Sequence, residues 1–180
     1  MKEIALPILD IIHNSIRAKA SEVSLSITEN PAQADYILTI SDNGKGIPAN
    51  MLPQVTDPFT TSRKTRKAGM ELALLRQNAE QSDGNIGISS TPTSGTTVKC
   101  RFGFSSPRPT ACRGFSGSTY SAQAFPAIRF LDHQTPSGSF KLDTCEIRET
   151  PGKIPVNDPE VRKFLFEMIA ENLQAIKAER

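Results

Sequence analysis

The sequence predicts an α/β protein in which a mixed β-sheet carries helices on one face. Three observations predict it. Residues 3–19 repeat apolar side chains at the helical period. Residues 22–28 and 35–41 alternate at the strand period. Residues 85–90 and 96–102 read as a hairpin across Thr91-Pro92-Thr93-Ser94-Gly95.

In chain order, the first helix carries Ile4, Ile8, Ile11, Ile12 and Ile16, and Pro7 sits near its start, where a missing N–H is tolerated. Asp10, Asn14 and Ser15 are the polar residues inside this apolar pattern, and Asp10 and Asn14 share one face. The first strand puts Val23, Leu25 and Ile27 on one side, and the second does the same with Tyr36, Leu38 and Ile40. The second strand runs into Asp42-Asn43-Gly44-Lys45-Gly46-Ile47-Pro48, a turn-rich stretch. A short helix is expected around 49–55, and a polar, basic loop over 56–69. Residues 70–82 read as a helix with Leu72, Leu75 and Ala79 on one face and Gly84 as its stop. Residues 105–126 lack Leu, Ile, Val and Met and predict an irregular loop or disorder. Order resumes with a hairpin, 128–131 and 139–143, and a final helix. Pro159 suits the first position of that helix, and Val161, Phe164, Leu165, Met168, Ile169, Leu173 and Ile176 form its apolar stripe.

The 180 residues are enough to bury a core. Lys plus Arg total 21 against 19 Asp plus Glu, a net charge of +2, which excludes a broad nucleic-acid-binding face and makes any basic effect local. No apolar run approaches the ~20 residues of a membrane span. Glu3 and Asp10 interrupt the apolar start and no small-residue cleavage site follows, so a signal peptide is not expected. Cys100, Cys112 and Cys145 fit neither a zinc site nor a disulfide framework, and a reducing cytoplasm is the expected setting.

The order of the motifs carries the functional reading. A helix with an acid and an Asn four residues apart comes first. A strand then ends in Asp42-x-Gly44-x-Gly46. Phe59-Thr60-Thr61, Gly69 before a helix, and Gly95-Thr96-Thr97 entering a strand follow. Over roughly residues 4–104 this resembles the ATP-binding domain shared by histidine kinases, DNA gyrase, heat-shock chaperones of the ninety-kilodalton class and MutL-type repair proteins. The resemblance implies a two-layer α/β sandwich of the Bergerat type. It implies a domain over 1–104, while composition and periodicity read as an irregular segment over 105–126 and a hairpin-plus-helix appendage over 127–180.

The resemblance also implies ATP and Mg²⁺ as ligands. Asn14 matches the metal-binding amide, whose oxygen suits hard Mg²⁺. Asp10 matches the acid that orients or deprotonates a water. Asp42 matches the acceptor of the adenine amino group, a role that fits an acceptor-only carboxylate. Gly44 and Gly46 would admit the purine to the backbone. Ile47 could flank the base, although core packing is its other reading. Thr97 matches a hydroxyl supporting adenine. Thr60, Thr61, Arg63, Lys64, Gly69 and Met70 would form the phosphate-facing lid. The lid departs from the family's Gly-x-Gly-Leu, because Glu71 stands at the second glycine. The apolar helix expected after the last core strand is also missing from 105–126, which either a frameshifted stretch or a divergent loop would produce.

His13 sits inside the nucleotide helix and His133 near a hairpin turn, so no phosphoacceptor domain of the chain's own is expected and a phosphoryl group would go to a protein partner. The readings are an ATP-binding regulatory module, an ATPase or protein kinase in its own right, and a degenerate interaction module that has lost the nucleotide.

Overall fold

A computed structural model describes residues 5–30, 32, 35–55, 71–103 and 128–144, and within the C-terminal region 160, 163–164, 167–169 and 171–172. The expected lid residues 56–70, the segment 105–126 and most of the final helix lie outside the described residues.

The elements are α1 (Ala5–Arg17), β1 (Val23–Asn30), β2 (Asp35–Asp42), α2 (Glu71–Glu80), β3 (Asn85–Thr91), β4 (Gly95–Gly103), β5 (Ile128–Thr135) and β6 (Gly138–Asp143). The helix expected around 49–55 is a single 3-10 turn, Leu52–Gln54, with Pro53 at its start. The strands form one sheet in the order β3-β4-β2-β1-β5-β6. Only β1 and β5 pair in parallel, so the sheet is mixed, as expected. The β5–β6 hairpin continues this sheet beyond β1, with Leu25 opposite Leu131 and Ile27 opposite His133.

Alternation sorts the sheet into two faces. Val23, Leu25 and Ile27, then Tyr36, Leu38 and Ile40, then Val98, Cys100 and Phe102 are buried on one face. Ile8, Ile11 and Ile12 of α1, and Leu75 and Ala79 of α2, join them in one core. Each such Leu or Ile contributes about 1.5–3 kcal/mol on burial. The opposite face is hydroxyl-rich, with Ser24, Ser26, Thr28, Thr39, Ser41 and Thr97 half-buried. Ile169 of the final helix joins the core, whereas Phe164, expected on the same stripe, stays 65% exposed.

Helices α1 and α2 end in the same backbone device. Lys19 takes a left-handed conformation (φ 61°). Its N–H reaches Ile16 O, and the Ala20 N–H reaches Ser15 O. This is the pairing that satisfies the last carbonyls of a helix. In α2 the left-handed residue is Asp83 (φ 54°), not Gly84. Gly84 comes one place later and donates to Ala79 O. Glycine is still required there, because a Cβ would lie 1.8 Å from Arg101 O.

Cys100 is buried in the core, and desolvation pushes its thiol up to about 12. At pH 8 its thiolate fraction is then about one in ten thousand. Iodoacetamide at pH 8 should leave Cys100 unmodified in the native protein and label it in urea, read by peptide mass spectrometry. The sign of the linkage is unfavourable at alkaline pH. The stability that the neutral thiol contributes is complete below pH 9 and is lost as pH rises towards about 12. Native-state labelling of Cys100 at the rate of the unfolded chain would contradict this burial.

Candidate functional site

The candidate site lies where β2 ends beside the C-terminal half of α1. Asp42 closes β2 on the helix-facing side, two residues beyond buried Ile40. Its carboxylate is held from both sides. Ser15 Oγ donates to Oδ2 at 2.8 Å, and the Gly44 N–H donates to Oδ1 at 2.8 Å. Ser15 Oγ also lies 3.2 Å from Ile11 O. A hydroxyl has one proton, and the shorter contact to a carboxylate takes it. Ser15 is only 3% exposed, so its end of this bond is shielded from water.

The turn after Asp42 is fastened on three sides. Asn43 Oδ1 accepts the N–H groups of Ser21 and Glu22 at 2.9 and 3.0 Å, tying it to the entry of β1. The Lys45 N–H donates to Ala18 O at 3.0 Å, tying it to the end of α1. The Thr93 N–H donates to Lys45 O at 2.9 Å, and the Ile47 N–H to Ser90 Oγ at 2.8 Å, tying it to the β3–β4 hairpin. This packing gives the glycines a reason beyond close approach of a ligand. A Cβ on Gly44 would stand 2.9 Å from Ala18 Cβ. Gly46 has φ +70°, and its Cβ would stand 2.1 Å from Thr91 O. Both positions need glycine for the turn to lie against its neighbours.

Asp10 and Asn14 lie one turn apart on the exposed side of α1. Asn14 precedes Ser15 in the chain and so borders the Asp42 end. Arg17, one turn on, donates from Nη1 to Asn14 Oδ1 at 3.3 Å. This puts an exposed guanidinium beside Asn14 that sequence reasoning did not single out. Ile47 is half-buried. Thr60, Thr61, Arg63, Lys64, Gly69 and Met70 lie outside the described residues, and Glu71 is the first residue of α2.

The register puts Thr97 on the sheet face opposite Asp42. It pairs with Ser41, and the two hydroxyls bond on the sheet face away from the helices. Thr96 is the register partner of Asp42 and shares its face. The signal was present in the sequence: Val98, Cys100 and Phe102 are the buried residues of β4, so the even-numbered Thr96 belongs with them. Ser15 and Ser90 were likewise missed as site residues. Ser15 stood out as a polar residue within an apolar helix face, whereas Ser90 carried no local signal.

His133 is fully buried, with Nε2 3.5 Å from Glu29 Oε1, so it is a core residue and presents no nitrogen to a phosphoryl group in solvent. Among the described residues no group of three His, Cys, Asp or Glu side chains could hold a metal ion. Among them, too, no helix is long and apolar enough to cross a membrane.

Residues 3–106 match the family described as histidine kinase-, DNA gyrase B- and HSP90-like ATPases. The chain is 30% identical over 90 residues to the sensor histidine kinase ZraS of Escherichia coli K12, covering 50% of this chain and 19% of that protein. It is 25% identical over 168 residues to the sensor histidine kinase RcsC of the same organism, covering 87% of this chain and 18% of that protein. It therefore spans less than a fifth of the length of these curated relatives. Among solved structures, the nucleotide-free catalytic domain of the histidine kinase ThkA matches with a TM-score of 0.44 at 16% identity, over 53% of this chain and 64% of that one.

Proposed function

This chain belongs to the histidine kinase-, DNA gyrase B- and HSP90-like ATPase family, and from that premise we propose that it binds ATP with Mg²⁺ as a regulatory or phosphotransfer module. The observation that carries the reading is the Asp42 carboxylate, half-buried at the end of β2 and fixed by Ser15 and the Gly44 N–H. A carboxylate oxygen accepts more than one hydrogen bond, so each oxygen keeps capacity for a base amino group. Asp42 takes that group, Ile47 borders the base, and Thr96 replaces Thr97 as the supporting hydroxyl.

Asn14 Oδ1 suits Mg²⁺ as an exposed, neutral, hard oxygen, with most remaining ligands left to phosphate and water. The metal would neutralise phosphate charge when bound. Arg17 would give up Asn14 Oδ1 and turn towards phosphate, where a guanidinium pairs more strongly. Asp10 orients the attacking water or acceptor from the same face. The family resemblance assigns Thr60, Thr61, Arg63, Lys64, Gly69 and Met70 to the phosphates. His133 is buried and out of reach, so a phosphoryl group leaving this site goes to water or to an acceptor outside the described residues. Free, buried Cys100 is consistent with a cytoplasmic setting. Titration calorimetry with ATP, with and without Mg²⁺, followed by phosphate release, tests the reading. Absence of ATP binding under both conditions would reject it.

Glu71 favours a second reading, a family module that binds triphosphate weakly. It is the first residue of α2, where helix amides attract anions, and it brings a negative charge to a position where the family's lid carries glycine. Glu71→Gly should strengthen ATP by about 1–2 kcal/mol after screening, ADP by less and adenosine least, because the repulsion scales with ligand charge. Equal gains for all three ligands would make the effect steric, and no gain would mean the lid works with Glu71 in place.

A further inference from the structure

We propose that Ser90 is a positioning residue that sets base selectivity, by holding the Thr96 hydroxyl as a proton acceptor beside Asp42. The inference rests on the ATP reading above and goes beyond it by assigning a residue of β3 that no motif contains.

The argument is a count of protons. Ser90 Oγ has three partners. It lies 2.7 Å from Gly95 O, 2.8 Å from the Ile47 backbone N, and 2.9 Å from Thr96 Oγ1. A carbonyl oxygen can only accept, so the single Ser90 proton goes to Gly95 O. The Ile47 N–H can only donate. Thr96 must then donate its own proton to Ser90, because otherwise the 2.9 Å contact would set two lone pairs against each other. A hydroxyl gives one hydrogen bond and accepts two, and Ser90 uses all three. Thr96 Oγ1 is left with lone pairs only.

Across the register from Thr96, Asp42 is in the same position: Ser15 and the Gly44 N–H both donate to it. The polar edge formed by Asp42 and Thr96 therefore consists of acceptors. An edge of this kind favours a base that presents an amino group and disfavours one with a carbonyl at the same position. Without Ser90, the Thr96 proton is free to turn towards a carbonyl, and discrimination falls. Ser90 does this at a distance, through Thr96, while also holding the turn at Ile47.

The test compares ADP with inosine diphosphate, which carry the same phosphates and differ at the base by an amino group beside an acceptor ring nitrogen against a carbonyl beside a ring N–H. Ser90→Ala should lower the ratio of ADP to inosine diphosphate affinity about tenfold, and Ser90→Thr, which keeps the hydroxyl, should restore it. Thr96→Val keeps the shape of Thr96 without its hydroxyl. It should lower the ratio by itself, with no further loss in the Ser90→Ala/Thr96→Val double variant. Thr96→Val also carries the test if Ser90→Ala fails to fold, as a thermal melt would reveal. A purely structural role for Ser90 would weaken both nucleotides equally and leave the ratio unchanged. That outcome, or an unchanged ratio in Thr96→Val, overturns the proposal while ATP binding stands. Failure of the parent protein to bind either nucleotide overturns the ATP reading and this proposal together.

Discussion

Replacing Asp42 with Asn should weaken ATP and ADP alike, by about tenfold or more, with little change in stability. The geometry explains why the two quantities separate. The Asn amide keeps one oxygen, and that oxygen stays opposite the Gly44 N–H, which sits 2.8 Å from Oδ1. The amide NH₂ then faces Ser15, which can accept it by turning its own proton to Ile11 O, already 3.2 Å away. Both internal bonds survive in altered form, so the fold loses about 1 kcal/mol or less. The ligand fares worse, because the oxygen that remains is neutral and already holds the Gly44 N–H. The NH₂ replaces an acceptor with a donor, and a base amino group arriving there meets another amino group. The lost hydrogen bond to a charged acceptor is worth about 1.5–3 kcal/mol. Both nucleotides share the base, so both should lose equally in calorimetry. Undiminished ADP binding by the variant, with its fold intact, would remove Asp42 from the base site.

Gly95→Ala should be the most damaging small substitution near the site. Gly95 has φ +92°, which L side chains rarely adopt, and strain at such positions costs on the order of 1–3 kcal/mol. Space is the larger obstacle: an added Cβ would sit 1.8 Å from Asp42 O and 2.8 Å from the Asn43 Cα. Relieving that overlap moves the backbone carrying Asp42, so stability and base binding should fall together. A total of about 3 kcal/mol or more corresponds to a fall in Tm of roughly 6–12 °C for a chain of this size. Gly87→Ala is the control. Its Cβ would meet nothing closer than Lys99 O at 4.0 Å, and its effect should stay within about 0.5 kcal/mol. Urea denaturation of the pair decides the matter. Similar stability in the two variants would mean that the hairpin end yields easily and that Gly95 does not brace Asp42.

The sequence by itself determined the elements and the acid at the end of β2. The 3.6-residue period of α1 and the alternation of β1, β2 and β4 are local signals, and the structure buries Ile8, Leu25, Leu38 and Phe102 as those periods require. Even the Thr96–Thr97 distinction was legible in the alternation of β4, and the motif resemblance obscured it. Only the tertiary structure decided the rest. Nothing local to Ile128–Thr135 says that β5 lies parallel beside β1, because strand pairing depends on partners about a hundred residues away. Nothing local says that Ser15 gives its proton to Asp42, 27 positions on, or that Ser90 receives the Ile47 N–H, 43 positions back. Each serine has one rotatable hydroxyl and several candidate partners. Which partner it takes follows from where the folded backbone brings the acceptors, and periodicity carries no record of that.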